Sequence, residues 1–246
     1  FVDSNRASEL FRSSAMIKGF DRIGGDAINV GNYELTGGLD HLLQIASQTS
    51  IPFISANLLD PDLREPIFKP YILINSGGIK FGVIGLTNLV SDTNEQLIVD
   101  DYILAGNIYL DVLQGKADIM VLLVNCDRSS YGDLHKLFPS ADLIFTSGST
   151  LLTRPMMNQE ENGPFVFSSG REGRYLNRFD IFINDKSKRL VNKSYYNSKV
   201  RYLKKRIERY AEKNPNLSLE NIYRDQPDIL EIIKNTRIEI RRMEKI

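Results

Sequence analysis

The feature that most constrains this chain is an alternation: over the first three quarters of its length, short apolar runs take turns with stretches of helical periodicity. Residues 26–30, 52–56, 71–75, 81–87, 119–124, 142–145, 164–168 and 178–183 have the length and apolar character of strands. Residues 38–50 set Leu39, Leu42, Leu43 and Ala46 at the i, i+3, i+4, i+7 positions of a helix, with Asp40, Gln44 and Gln48 on the water side. Residues 101–115 form a second such stretch. Strands alternating with helices build α/β layers, a sheet covered by helices. With 246 residues, 42% of them hydrophobic, the chain can bury a sizeable core.

Composition narrows the function classes. Lys plus Arg and Asp plus Glu both number 31, so no global field directs the chain to nucleic acid, an anionic membrane or an acidic substrate. The single cysteine, Cys126, excludes an internal disulfide framework and any CxxC metal or haem site. It ends an apolar run with no histidine nearby in sequence, and a buried, inert thiol is expected there rather than a nucleophile. The longest apolar run, 119–124, is far shorter than the about 18–20 residues that span a bilayer, so no transmembrane segment is expected. The sequence starts at Phe1 without initiator methionine, basic stretch or apolar leader, and is expected to be a processed chain or a fragment.

After Asn184 the composition turns strongly basic and no further core strand follows. The expected division is a core over residues 1–185 and a charged helical extension over 186–246. Tyr196, Val200, Leu203, Ile207 and Tyr210 alternate spacings of four and three, and Ile229, Ile233, Thr236, Ile240 and Met243 repeat that spacing. Each set marks one apolar seam on a charged helix. Asn214-Pro215-Asn216 separates the two, and Pro227 suits the first turn of the second helix. An αα-hairpin is expected, its seam closing on itself or docking, with a protein partner or self-association through residues 196–246. The stretch from Lys199 to Lys213 mixes tyrosines with cations. Tyr196 and Tyr210 lie on the seam while Glu208 and Glu212 dilute the charge, so a solvated face is expected and no nucleic acid.

The run AINVGNYEL, residues 27–35, ends an apolar segment in a Gly-Asn turn followed by a tyrosine and a carboxylate. Residues 24–60, GGDAINVGNYELTGGLDHLLQIASQTSIPFISANLLD, resemble the region around the Gly-Asn-His-Glu motif of the 5'-nucleotidase branch of the calcineurin-like metallophosphoesterases. IKFGVIGLT (79–87) is similar to the strand that follows in that family. ADIMVLLVNCD (117–127) and ADLIFTSGST (141–150) resemble its two later histidine-bearing strand ends, and GREGRYLNRFDIFIND (170–185) its closing segment. The resemblance covers about residues 1–185. It implies a four-layer α/β/β/α sandwich with a two-metal site at the strand ends, where hard ligands on adjacent cations activate a water for attack on phosphate.

The family's ligand positions can be followed one by one. FVDSNR places Arg6 where the resemblance implies the metal-bridging aspartate, and an arginine carries a fixed positive charge. Asn32 is kept, the following imidazole is Tyr33, the next ligand histidine falls on Asn125, and the Gly-His-x-His pair falls on Gly148 and Thr150. Only Asn32 matches. The two histidines, His41 and His135, stand elsewhere and are expected to be solvated or capping. Glu34 and Asp127, beside Arg6 and Arg128, read as ion pairs more than a metal cage. The first-strand Asp-x-His motif has no counterpart, so residues upstream or another chain are expected to complete the sheet.

Remaining features are weaker. NSGGIK and TSGST are Gly/Ser turns rather than phosphate loops. Arg171 and Arg174 are candidate anion-binding residues, though the segment more simply turns the chain. The reading adopted is a catalytically inactive metallophosphoesterase-like domain with no cofactor, serving as a structural or protein-interaction module. Two alternatives stay open: an active nucleotidase or cyclic-nucleotide phosphodiesterase with two divalent metals in an atypical site, and a metal-free binder of nucleotide or phosphate. A periplasmic or extracellular location is implied by the resemblance alone.

Overall fold

Two near-continuous apolar strands, β5 (Ile79–Thr87) and β7 (Ile119–Asn125), lie at the heart of a five-stranded sheet, as their lack of polar alternation requires. The computed structural model of the chain describes residues 3–90, 96–157, 163–171, 173–185 and 188–246, and only the backbone of residues 3–7 and 9. The sheet runs β4 (Tyr71–Ser76), β5, β7, β8 (Leu143–Ser147) and β9 (Phe165–Ser168). β5, β7, β8 and β9 are parallel neighbours, and β4 joins β5 as an antiparallel hairpin. The two-residue turn Gly77-Gly78 has φ of 59° and 79°, the left-handed pair that a tight hairpin of this twist demands.

Helix α3 (Tyr102–Leu113) covers one face of this sheet. Asp101 starts it, its carboxylate accepting from the amides of Ile103 at 2.7 Å and Leu104 at 3.0 Å. Leu110 and Leu113 of α3 join Ile84, Leu86, Leu122, Val124, Ile144 and Phe138 in one core. A second core gathers Val30, Leu42, Ile45, Phe53, Leu58 and Leu97 around α2 (Leu39–Ala46). It is built on the parallel pair β1 (Ile28–Asn29) and β2 (Phe53–Ile54) and the antiparallel pair β3 (Leu58–Leu59) and β6 (Ile98–Val99). The mixed α/β class agrees with the sequence reading.

Three local expectations need correction. Arg6 is not at a strand end: it lies in helix α1 (Asp3–Ile23), a stretch with no proline and one glycine, the two residues that most oppose helix, and its side chain lies outside the described residues. Residues 178–183 form no strand. Phe179 instead packs its ring on Phe145 (5.0 Å) and Phe167 (4.5 Å), so side-chain packing on the sheet face takes the place of ladder pairing. Helix α2 ends at Ala46, short of Ser50, because Thr49 and Ser50 turn to Asp21. The Asp21 Oδ1 accepts from Ser50 N at 3.0 Å, from Thr49 Oγ1 at 2.8 Å and from Ser50 Oγ at 3.0 Å, and these bonds, led by the Ser50 amide, hold the carboxyl below the usual range.

The chain divides into two compact units, Phe1–Thr153 with Gln159–Lys188, and Arg154–Asn158 with Arg189–Ile246. The second consists of α5 (Lys193–Ala211), α6 (Leu219–Ile222) and α7 (Pro227–Met243). Leu203, Leu219, Tyr223, Ile233, Thr236 and Ile240 are buried in it. The short helix α6, unforeseen in the sequence, seats Leu219 and Tyr223 between the long helices, with Tyr223 Oη donating to Tyr210 O at 3.1 Å. Among the described residues no helix is long and apolar enough to cross a membrane.

Candidate functional site

Three of the singled-out positions, Asn32, Asn125 and Gly148, meet where the parallel strands end. Asn125, last residue of β7 and 3% exposed, accepts at Oδ1 from Thr87 Oγ1 at 2.9 Å and from Asn32 N at 3.2 Å. Its Nδ2 donates to Ser147 Oγ at 3.2 Å. Thr87 ends β5, Ser147 ends β8 and Asn32 follows β1, so one amide ties together three strand ends and a loop. A deeper amide supports it: Asn57 accepts from Thr87 N at 3.0 Å and donates to Thr87 O at 2.8 Å and Asp100 O at 2.9 Å. The amide carbonyl of Asn32 is buried and unpartnered.

The neighbouring positions are closed to larger side chains. A Cβ on Gly31 would lie 2.6 Å from Asn125 Cγ. Gly148 has φ of 89°, and a Cβ there would collide with Leu89 and sit 2.9 Å from Cys126 O. No imidazole fits at that position without moving the backbone. Tyr33 is 75% exposed and Thr150 is exposed beyond β8, so neither joins the cluster. Arg171 and Arg174 are exposed in an irregular segment, outside the cluster.

The carboxylates nearest in sequence are engaged locally, and the expected pairing with Arg6 falls on a side chain outside the described residues. Glu34 Oε2 accepts from Gly31 N at 2.9 Å. Asp127 Oδ1 accepts from Ser129 Oγ and Ser129 N at 2.6 Å and from Ser130 N at 3.1 Å, and these bonds, led by the Ser129 hydroxyl, lower its pKa. His41 Nε2 lies 3.1 Å from Ser13 Oγ, linking α2 to α1, while His135 sits half-buried on the short helix α4 (Leu134–Leu137). Among the described residues no three His, Cys, Asp or Glu side chains converge in a way that could hold a metal ion. Two adjacent divalent cations need several anionic oxygens or imidazoles, and one free amide carbonyl with neutral hydroxyls does not fit that requirement.

Cys126 follows Asn125 and is 1% exposed. Burial, with a smaller contribution from the charge of Asp127, pushes its thiol up to about 12. The folded protein therefore keeps a neutral thiol, whereas the unfolded chain ionises it from its ordinary 9.0 upward. Stability tied to this group is fully present below about pH 9 and falls by about 1.4 kcal/mol per pH unit above it. Equilibrium denaturation between pH 8 and 11 should show this slope in the unaltered chain and lose it in Cys126→Ala; native protein should resist thiol reagents until unfolded.

No family model matches the chain. Over 80 residues it is 39% identical to a 5'-nucleotidase of Vibrio parahaemolyticus, a match covering 32% of this chain and 14% of that protein. Over 199 residues it is 23% identical to a 2',3'-cyclic-nucleotide 2'-phosphodiesterase/3'-nucleotidase of Salmonella typhimurium, covering 65% and 30%. The structure of the calcineurin-like phosphoesterase YfkN from Bacillus subtilis superposes with a TM-score of 0.54 at 20% identity, covering 69% of this chain and 62% of that one. Over the matched residues the chain is similar to 5'-nucleotidases, and its fold is that of the calcineurin-like phosphoesterases. It matches only a small part of the length of the first of these relatives. Within this 5'-nucleotidase-like domain, the sequence reading missed Thr87, Ser147 and Asn57. Their one signal was a polar residue closing or following an apolar strand.

A direct test of the cluster is to restore the family residue at Asn125. Asn125→His should destabilise the domain by about 1–3 kcal/mol, because the larger ring meets Gly31 and the close-packed strand ends. Denaturant midpoints measure the loss, and titration calorimetry with Mn²⁺ should show no site created.

Proposed function

We propose that this domain no longer catalyses phosphoester hydrolysis and serves as a structural or protein-interaction module, with docking through residues 196–246. The observation that carries the reading is Asn125: where the family resemblance implies a metal-bound imidazole, a neutral amide is consumed by Thr87, Asn32 and Ser147. Gly148 adds support, since its backbone and surroundings reject a ligand side chain. Relatives named as nucleotidases and a cyclic phosphodiesterase set the activity to be sought. In this reading the domain works outside the cytoplasm, an assignment that the family resemblance supports. Incubation of the whole chain with AMP, 2',3'-cyclic AMP and bis(p-nitrophenyl) phosphate under added Mn²⁺ should give no release above a protein-free control. Turnover that depends on Asn32 would overturn the proposal.

A further inference from the structure

The net charge of zero conceals a separation. The helical unit holds 16 Lys and Arg against 8 Asp and Glu, and the nucleotidase-like unit holds 15 against 23. Within the helical unit the excess concentrates on α5. Helix periodicity sets Arg201, Lys205 and Arg209 in one line along its exposed side, with Arg206 and the half-exposed ring of Tyr202 beside them. Three other cations of the unit are neutralised in place: Lys199 by Glu239 at 3.2 Å, Lys204 by Glu244 at 2.6 Å and Arg237 by Glu220 at 2.8 Å. Arg201, Lys205, Arg206 and Arg209 make no ion pair among the described residues. The apolar side of α5 is already occupied by α6 and α7, so whatever docks on the helix meets charge, not an open seam.

We propose that this outer face of α5 docks on the acidic nucleotidase-like unit of a second copy of the chain, giving head-to-tail self-association. The proposal rests on the interaction role above and names its partner. The acidic unit offers exposed Asp62 and Glu65 in the turn after β3, and exposed Asp100 and Asp101 directly after β6. Equal and opposite excesses make each copy both donor and acceptor, and unlike patches form a heterologous contact that leaves one of each free at the ends. Charge-led docking of this kind is weakened by salt.

Sedimentation of the whole chain tests it. At about 0.01 M salt, where charges act over about 30 Å, the average mass should exceed one chain and rise with concentration. At about 1 M salt the apparent affinity should drop by about tenfold or more. The variant Arg201→Glu/Lys205→Glu/Arg209→Glu should melt like the unaltered chain and remain single. It keeps its acidic unit, so an equimolar mixture with unaltered chain should form mixed pairs. A chain that stays single at every salt concentration, or assembly that survives the charge reversal, overturns the proposal. So does a single chain that instead floats with phosphatidylglycerol vesicles. None of these outcomes alters the loss of catalysis, which the hydrolysis assay decides separately.

Discussion

Replacing Phe138 with alanine should lower the stability of the nucleotidase-like unit by about 3–5 kcal/mol, among the largest effects of any single truncation in the chain. Phe138 is fully buried, stacks edge-on against Tyr102 with ring centroids 6.0 Å apart, and fills the space over Gly106 of α3. A Cβ on Gly106 would lie 2.5 Å from the Phe138 ring, so the absence of a side chain on α3 and the presence of one on α4's end are complementary. Neither α3 nor β7 can collapse into the vacated volume without breaking the ladder β7 makes on both sides. For a unit of this size the loss corresponds to a fall of roughly 6–20 °C in melting temperature, read by calorimetry. Phe138→Leu should recover more than half of it.

Asn57→Ala should cost about 3 kcal/mol or more, although it removes only a small polar group. Its side chain is wholly buried and satisfies three backbone groups: the N–H and C=O of Thr87 and the C=O of Asp100. Truncation strands all three in the interior, and each unpaired buried group costs about 1–3 kcal/mol. Thr87 also anchors Asn125, so the damage should spread to the strand ends. Hydrogen exchange should quicken first at Thr87, Asn125 and Asn32, in contrast to Phe138→Ala, where it should quicken across α3. Asn57→Asp should not rescue, since a carboxylate there loses both donated bonds and is buried without a cation.

These two residues show what the sequence could and could not disclose. β5, β7 and β8 were legible because a strand buried on both faces is apolar along its whole length, a pattern that needs no partner to be recognised. Helix α1 was not: Phe11, Met16, Phe20 and Ile23 are exposed on it while, among its described side chains, Ile17 alone is buried, so these apolar residues trace no single stripe. At the site, Asn125 and Gly148 were found by position within a family pattern. Thr87, Ser147 and Asn57 could not be, because a polar residue at a strand end acquires meaning only from what stands across the sheet. The local bonds of the carboxylates Glu34 and Asp127 were not foreseen for a related reason: their donors are amides two or three residues away, a turn geometry that the sequence pattern does not announce.

The cluster at the strand ends also explains why single reversions should fail. Gly148 would reject histidine, Asn125→His would overpack, and Tyr33 stands in solvent, away from the amides it follows. A working two-metal site would need coordinated change on β5, β7, β8 and the loop after β1 together.

The most direct measurement is the divalent metal content of the purified whole chain, taken by inductively coupled plasma mass spectrometry after dialysis against Mn²⁺ and Zn²⁺. The account predicts far less than one ion per chain, unchanged in Asn32→Ala. One or two tightly held ions per chain, lost in Asn32→Ala along with turnover of a phosphodiester, would contradict it.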